Sequence, residues 1–201
     1  MKQLNHLESM TKLITEKNKG SIFVSSDFAD IAGNEVVRKN LSLLTKRKIL
    51  KRINHGLYLY PQYSKLTNEI LPFDINAATN AIARNYGWTI VPSGQTALNI
   101  LGLSNQIPVT YEFLSDGPYR KYNIEGYHIN FLHRTNKDLR SLSYKHALFI
   151  SAIKALGQNR ITDNEISILR SKLTPLERNQ ILNDTKYITK WIREVLEKVI
   201  Q

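Results

Sequence analysis

The sequence predicts an α+β protein, and three observations support this fold class. Segments whose apolar residues recur every three or four positions, the period of a helix, are mixed with short β-branched and aromatic runs, which favour strands. The pattern after residue 141 is helical to the end. The composition of the 201 residues, 42% hydrophobic and 22% charged, is that of a chain that buries a core.

Charge and cysteine content narrow the classes of function. The chain has 28 basic and 17 acidic residues, a net charge of +11, which favours a polyanion such as nucleic acid or an anionic membrane surface as partner. It has no cysteine, so disulfides and thiolate zinc sites are excluded. Neither a run of 18 apolar residues nor a signal-peptide core is present, and we expect a cytoplasmic protein.

The basic residues are concentrated in the first third of the chain. Residues 1–65 carry a net charge of +7, from 12 basic and 5 acidic residues, whereas residues 66–201 carry +4, from 16 and 12. Mutual repulsion within such a cluster disfavours folding unless a negative partner lies against it. Seven basic residues with no acid among them lie in one short stretch: Arg38, Lys39, Lys46, Arg47, Lys48, Lys51 and Arg52.

The first segments predict two helices with a strand between them. Apolar residues at intervals of three and four predict a helix over residues 3–18, which Gly20 ends. The apolar run SIFVS predicts a short strand over 21–25. The segment DFADIA (27–32) predicts a second, short helix that stops at Gly33.

The third predicted helix has an apolar and a cationic side. Asn34 is its expected N-cap, and Glu35 lies in its first turn, where the helix dipole favours an acid. The inward stripe consists of Val37, Leu41 and Leu44. The outward stripe consists of Glu35, Arg38, Lys39, Ser42, Thr45 and Lys46.

A predicted hairpin follows this helix. The β-type runs KILKRI (48–53) and LYLYP (57–61) are joined by Asn54-His55-Gly56, a connector typical of hairpins. The order helix, strand, helix, turn, helix, hairpin is that of a winged helix-turn-helix. The alternative is a small α+β domain with a solvated basic face. Since pattern and charge agree, we favour DNA binding.

The predicted DNA-binding residues lie on the outward side of the third helix, in the turn after it and in the hairpin, or wing. Arginine can donate two parallel hydrogen bonds to guanine, and lysine offers a point charge to phosphate. His55 is interpreted as a phosphate contact, and the alternative is that it is a solvated turn residue. The predicted set is Asn34, Glu35, Arg38, Lys39, Ser42, Lys46, Arg47, Lys48, Lys51, Arg52, Asn54 and His55.

Residues 66–201 are predicted to form a second domain, of mixed α/β character and ending in helices. Residues 62–71 are expected to be a linker. Strands are predicted over 88–93, 109–115 and 127–134. Helices are predicted over 72–87, 94–102, 143–157, 161–173, from 174 onward, and over 186–200.

Several polar groups of the second domain admit a chemical interpretation and a structural one. Ser93, Asp116 and a histidine allow a hydrolase triad to be drawn, but Ser93 lies in Val-Pro-Ser-Gly-Gln rather than in a nucleophile elbow, and a strand-to-helix turn capped by Ser93 is favoured. His128 and His133, five residues apart on a strand, should point to opposite faces. No metal and no cofactor is expected.

Two further features of the second domain are left with alternatives. The segment containing Gly117, Arg120 and Lys121 is either a phosphate cradle or a basic surface turn, and we favour the turn. The C-terminal apolar stripe is either intramolecular core, which we favour, or a face for a dimer or partner. The stripe consists of Tyr187, Ile188, Trp191, Ile192, Val195, Leu196 and Val199.

The segment from Val36 to Pro61, VRKNLSLL followed by GLYLYP, resembles the N-terminal winged helix of AbiEi-type antitoxins, from type IV toxin–antitoxin and abortive-infection systems. The resemblance extends over residues 20–135. It departs from the family where Arg47 and Lys48 occupy a turn that often contains glycine. Its further motifs are Pro92-Ser93-Gly94, Leu101-Gly102-Leu103-Ser104, Gln106, Pro108 and Asp116-Gly117-Pro118 with Arg120.

The resemblance implies a non-enzymatic antitoxin with a winged helix-turn-helix over residues 1–65 and an AbiEi-like antitoxin domain over 66–201. Its implied partners are double-stranded DNA of its own operator, through which it represses its operon, and a nucleotidyltransferase-like toxin, whose direct contact is left open. One alternative is a plain winged-helix transcription regulator without a toxin. Another is a DNA-processing enzyme, but the carboxylates that a metal-dependent nuclease needs are scattered here. These carboxylates are Asp74, Glu112, Asp116 and Glu125.

Overall fold

A computed structural model describes residues 5–134, 142–186 and 188–201 of the chain. In these ranges eight α-helices, one 3-10 helix and two small sheets form an α+β fold, which confirms the predicted fold class at this level. Residues 3 and 4 of the first predicted helix, the predicted helical onset at Ser141, and Tyr187 of the C-terminal stripe lie outside the described residues.

The chain divides into two compact units, residues 1–88 and 89–201. The domain boundary expected from the sequence, between residues 65 and 66, lies earlier. Residues 66–88 therefore belong with the first unit.

From residue 5 onward, where its description begins, the first unit has three α-helices and a three-stranded antiparallel sheet of order β1-β3-β2. The predicted helix DFADIA is replaced by a single 3-10 turn, because the short polar side chains bond locally: the Asp27 carboxylate accepts from the amide of Val24 at 2.9 Å. The elements are α1 His6–Thr15, β1 Ile22–Phe23, the 3-10 helix Ser25–Phe28, α2 Asn34–Lys46, β2 Lys51–Asn54, β3 Leu57–Leu59 and α3 Ile75–Tyr86.

Helix α2 begins one residue earlier than the sequence suggests. Gly33 is its N-cap, with extended backbone (φ −64°, ψ 157°), and Asn34, the predicted cap, is its first helical residue. Glycine is an acceptable N-cap because its carbonyl still accepts the first helical hydrogen bond, here from the amide of Val37 at 3.0 Å.

The apolar side of α2 packs into the core of the first unit, as predicted. Val37, Leu41 and Leu44 are fully buried. Burial of each such side chain contributes about 1.5–3 kcal/mol to folding, which fixes the rotation of the helix and hence which side faces solvent. Their partners in this core include Met10, Ile14, Phe23, Phe28 and Leu50.

Helix α3 belongs to the first unit because a buttressing ion pair and packing join it there. Arg84 donates from Nε to Oδ1 of Asp27 at 2.6 Å and from Nη2 to Oδ2 at 2.9 Å, and Nη2 also donates to the carbonyl of Ile22 at 3.2 Å. The pKa of Arg84 is raised, first by the hydrogen bond to Asp27. The helix also packs against β1, the 3-10 helix and β3.

The predicted linker, residues 62–71, is an ordered loop rather than a free connection. The amide of Leu71 donates to the carbonyl of Gln62, and that of Ser64 to the carbonyl of Glu69, each at 2.8 Å. Tyr63 and Ile70 form an isolated antiparallel bridge. These hydrogen bonds pair the backbone groups of the loop, and the sequence pattern does not predict this pairing.

Within its described residues, 89–134, 142–186 and 188–201, the second unit has a four-stranded sheet and five helices. In the sheet, of order β4-β5-β7-β6, β5 and β7 are parallel and the other neighbours are antiparallel. The elements are β4 Ile90–Ser93, α4 Gly94–Leu101, β5 Thr110–Ser115, β6 Arg120–Ile124, β7 Tyr127–His133, α5 Tyr144–Leu156, α6 Asp163–Ser171, α7 Pro175–Asp184 and α8 Lys190–Ile200.

The C-terminal helix α8 is part of the helical core of this unit. Ile192, Leu196 and Val199 are buried, together with residues of α4 to α7. This confirms that the described part of the C-terminal stripe is intramolecular core. Within the described ranges, no helix combines the length and the apolar character needed to cross a membrane.

Candidate nucleic-acid interface

The side of α2 opposite the core is exposed and polar. Because the apolar stripe is buried, the other side of this 13-residue helix must face solvent. The predicted residues on that side are all exposed: Asn34, Glu35, Arg38, Lys39, Ser42 and Lys46. Thr45, expected on the same stripe, is only partly exposed, and its hydroxyl donates to the carbonyl of Leu41 at 2.8 Å.

The sequence did not single out Val36 on this surface. Its side chain is 39% exposed beside the polar stripe. Its exposure could have been predicted, because Val36 does not fall on the inward stripe of Val37, Leu41 and Leu44. An exposed apolar side chain on such a helix can contact the methyl group of a thymine.

The turn after α2 holds two cations in solvent. Arg47 is the C-cap of the helix, and its amide donates to the carbonyl of Leu43 at 2.9 Å. Lys48 has φ 58°, a left-handed conformation that glycine favours. The amides of Ile49 and Leu50 then both donate to the carbonyl of Leu44, at 3.0 and 3.3 Å, so the reversal is anchored to the helix while both charged side chains are exposed.

The hairpin turn is organised by its own polar groups. Arg52 contacts Nδ1 of His55 through Nη2 at 2.9 Å and donates from Nε to the carbonyl of Asn54 at 3.3 Å. A guanidinium can only donate, so Nδ1 of His55 accepts and the ring proton lies on Nε2. The amide of His55 donates to Oδ1 of Asn54 at 2.6 Å, and Gly56 has φ 74°. Arg52 and His55 are exposed, and Lys51 and Asn54 partly so.

Three of the seven acids of the first unit are engaged away from α2, whereas Glu35 lies on its exposed side. Glu8 closes a capping box with Asn5, Asp27 binds Arg84, and Asp74 accepts from the amide of Asn76 at the start of α3. The cations of α2 and its following turn are therefore available to an external anion. Among the residues that the structure describes, no ion pair includes Arg38, Lys39, Lys46, Arg47 or Lys48.

The structure does not bring the residues of the imagined hydrolase triad together. Ser93 lies opposite Glu112 in the middle of β5, whereas His133 lies opposite Ser115 at its end. Three residues of strand separate these positions, which corresponds to roughly 10 Å. Asp116 accepts from the amide of Thr89 at 2.8 Å.

The two strand histidines point to opposite faces, as predicted, because they are an odd number of residues apart within β7. In the described ranges, no group of three or more His, Cys, Asp or Glu side chains is placed to hold a metal ion.

The backbone of Gly117 does not form a phosphate cradle. Its amide donates to Oγ of Ser115 at 3.0 Å, and its carbonyl accepts from Nδ1 of His133 at 2.9 Å. Both polar groups are thus used inside the unit. Gly117 is itself buried, whereas Arg120 and Lys121, the first residues of β6, are exposed.

The Pro-Ser-Gly motif is a strand-to-helix turn, as favoured. Ser93 occupies the N-cap position of α4, but its side chain makes no capping hydrogen bond. Gly94 has φ 54°, a left-handed conformation that glycine adopts without strain. A Cβ at this position would lie 3.1 Å from Oε2 of Glu112, so glycine also leaves room for that carboxylate. The amide of Glu112 donates to Oγ1 of Thr96 at 2.9 Å, which joins β5 to α4.

These features define an α+β protein of two compact units whose first unit exposes a basic helix and turn. The chain belongs to the family DUF6088, described as a family of unknown function, whose model matches residues 9–181. The match covers most of both units. A comparison with curated proteins finds no match.

Proposed function

We propose that the first unit is a winged helix-turn-helix that binds duplex DNA, with α2 in the major groove and the turn between β2 and β3 as the wing. The observation that carries the proposal is the exposed, mainly cationic side of α2, which continues into Arg47 and Lys48 and whose cations make no ion pair among the described residues. The apolar side of the same helix is buried, so the cations cannot turn inward without dismantling the core.

The dimensions of the helix support insertion into the major groove. Thirteen residues make α2 about 20 Å long, and the major groove of B-DNA admits a helix. Arg38 and Ser42 lie one turn apart on its exposed side, in position to reach base edges. Lys46 to Lys48 at its end, and Arg52 and His55 in the hairpin turn, are suited to phosphates.

The biological role that we propose is that of an antitoxin. This role rests on the resemblance of residues 20–135 to AbiEi-type antitoxins. In it, the chain represses its own operon through the first unit and counteracts a nucleotidyltransferase-like toxin through the second. A plain transcription regulator would have the same DNA-binding surface. It differs from an antitoxin in that the product of the neighbouring gene would be harmless to the cell.

A salt titration tests the DNA-binding proposal. About five to seven phosphate contacts, each contributing roughly −0.9, should give a slope of log affinity against log salt concentration of about −5 to −6. The measurement is a mobility shift at several salt concentrations, with DNA from upstream of the protein's own gene and with random DNA of equal length. Binding that does not respond to salt, or absence of binding to the upstream DNA, would contradict the proposal.

A further inference from the structure

A hydrogen-bonded turn lies at one end of the sheet of the second unit, where β5 ends and β6 begins. Asp116 holds it to Thr89, donating its amide to the Thr89 carbonyl at 3.2 Å and accepting the Thr89 amide at 2.8 Å. Gly117 is bound through both backbone groups, to Ser115 and to His133. The amide of Arg134 donates to the carbonyl of Ser115 at 2.7 Å. The turn is therefore tied to Thr89 before β4, to the last residue of β5 and to the last residue of β7.

This fixed turn presents a large aromatic ring to solvent. The side chain of Tyr119 is 68% exposed, and Pro118 before it restricts the backbone. The Tyr119 ring contacts the His133 ring edge-on, with centroids 6.1 Å apart and planes at 63°. Because His133 donates from Nδ1 to a carbonyl, its orientation is set and Nε2 is left for another partner. A ring that is ordered before binding loses little entropy on binding.

The surroundings of this ring are basic. Arg120 follows Tyr119 at the start of the edge strand β6, is exposed, and pairs with Phe131, so it lies on the same sheet face as His133. Arg134, also exposed, follows His133 and donates from Nη1 to the His133 carbonyl at 3.0 Å. The turn also contains one acid, Asp116, whose carboxylate accepts from the amide of Thr89. An exposed aromatic ring flanked by cations suits a nucleobase with its phosphates.

We propose that Tyr119 and His133 form a stacking site for an unpaired nucleobase of a single-stranded nucleic acid, with Arg120 and Arg134 on the flanking phosphates. A duplex cannot supply this contact, since its base faces are covered by neighbouring base pairs. The site is distinct from the duplex-binding surface proposed on α2 and does not depend on it. Its ligand is single-stranded RNA or DNA.

The affinity test uses the full chain with Arg38→Ala, Lys39→Ala and Lys46→Ala as background, so that the basic helix does not obscure the second site. Fluorescence anisotropy is measured with labelled twelve-residue oligouridine, oligodeoxythymidine and a duplex of equal length. The single strands should bind more tightly than the duplex. A preference for oligouridine identifies RNA as the source of the base, and a preference for oligodeoxythymidine identifies DNA.

The variants isolate stacking from charge and from folding. Tyr119→Ala should weaken single-strand binding by about 5- to 150-fold, the range expected when one base loses its aromatic platform. Tyr119→Trp should retain binding, since it keeps a ring. Tyr144→Ala, which removes another half-exposed tyrosine of the same unit at the start of α5, is the matched control and should bind normally.

Photocrosslinking of the unmutated chain tests the same site without any substitution. Oligouridine carrying 5-iodouridine should form its adduct with Tyr119 or His133, as mapped by mass spectrometry. Unchanged affinity in Tyr119→Ala, an equal loss in Tyr144→Ala, or adducts confined to other residues would each overturn the proposal. Failure of this site would leave duplex binding by α2 unaffected, because the salt titration measures that separately.

Discussion

At the turn after α2, a lysine adopts a backbone conformation that favours glycine. The left-handed conformation costs a residue with a side chain roughly 1–2 kcal/mol, a cost that glycine avoids. Glycine also has more conformational freedom in the unfolded chain, which offsets part of the stability gained by replacing Lys48. Lys48→Gly should therefore raise the free energy of unfolding, by at most about 1 kcal/mol. Urea denaturation measures it. Lys48→Val, which is β-branched, should lower stability, and equal or reversed effects would show that the conformation at Lys48 is not strained.

Individual side chains of the proposed DNA surface should differ in what they contribute. Arg38, on the exposed side of α2, is assigned to a base edge, so Arg38→Ala should cost about 1–3 kcal/mol on the operator and relax sequence preference. Lys51, in the hairpin, is assigned to a phosphate, so Lys51→Ala should weaken all sequences alike. Mobility shifts on operator and random DNA measure both.

The control for these variants is Lys12→Ala, which removes an exposed lysine of α1 that lies 3.9 Å from Glu16. It should leave DNA binding unchanged. If Arg38→Ala and Lys51→Ala behave identically on specific and random DNA, the assignment of helix and wing is wrong.

Helix α7 is joined to α5 by a carboxylate whose pKa is strongly shifted. Two hydrogen bonds from Nζ of Lys145, at 2.7 and 2.8 Å, and further ones from Thr174 lower the pKa of Glu177 from 4.5 to about 2. A carboxylate whose pKa is lower in the folded chain than in the unfolded chain stabilises the fold at pH values above its unfolded-state pKa. The contribution is thus fully present above about pH 4.5 and is lost as pH falls towards 2.

Glu177→Gln should remove this part of the acid sensitivity. The free energy of unfolding of the variant should fall less steeply between pH 4.5 and 2 than that of the unmutated protein, as measured by urea denaturation across this range. Lys145→Met, which removes the first cause of the shift, should flatten the profile in the same direction. An unchanged profile in both variants would show that the contact does not persist in solution.

Elements with strong apolar periodicity could be predicted from the sequence, and those set by local polar contacts could not. The buried stripe of Val37, Leu41 and Leu44 predicts both α2 and its exposed side. In contrast, β6 was missed because RKYNI is a mostly exposed edge strand without regular alternation. The turn geometry of the candidate interface, with Lys48 left-handed and Arg52 on His55, depends on hydrogen bonds that no residue pattern specifies.

At the scale of the whole molecule, the position of the boundary between the two units depends on a contact between residues far apart in sequence. Arg84 and Asp27 are 57 positions apart, and composition gives no sign that they meet. With the limit at residue 88, the first unit carries +6, from 13 basic and 7 acidic residues, and the second +5, from 15 and 10. The second unit is therefore nearly as basic as the first, which is consistent with a nucleic-acid contact of its own.

The antitoxin proposal predicts that the two units perform separable tasks in a two-gene operon. The second unit, residues 89–201, has its own sheet and helical core, more than a simple repressor needs beyond its DNA-binding unit. Promoter repression should therefore require residues 1–88, and rescue of growth from the downstream gene product should require residues 89–201. The measurements are a promoter reporter and growth during co-expression with the full chain and with each unit.

A fragment of residues 1–65 is the informative control, because it lacks α3 and with it the two hydrogen bonds from Arg84 to Asp27. It also leaves uncovered the parts of β1, β3 and the 3-10 helix on which α3 packs. We therefore expect residues 1–65 to fold less stably than residues 1–88, by circular dichroism and urea denaturation, and to repress weakly. If residues 1–88 alone restore growth, or if the downstream product proves harmless, the antitoxin role fails and a plain transcription regulator remains. If residues 1–65 repress as well as residues 1–88, α3 is not needed for the DNA-binding surface.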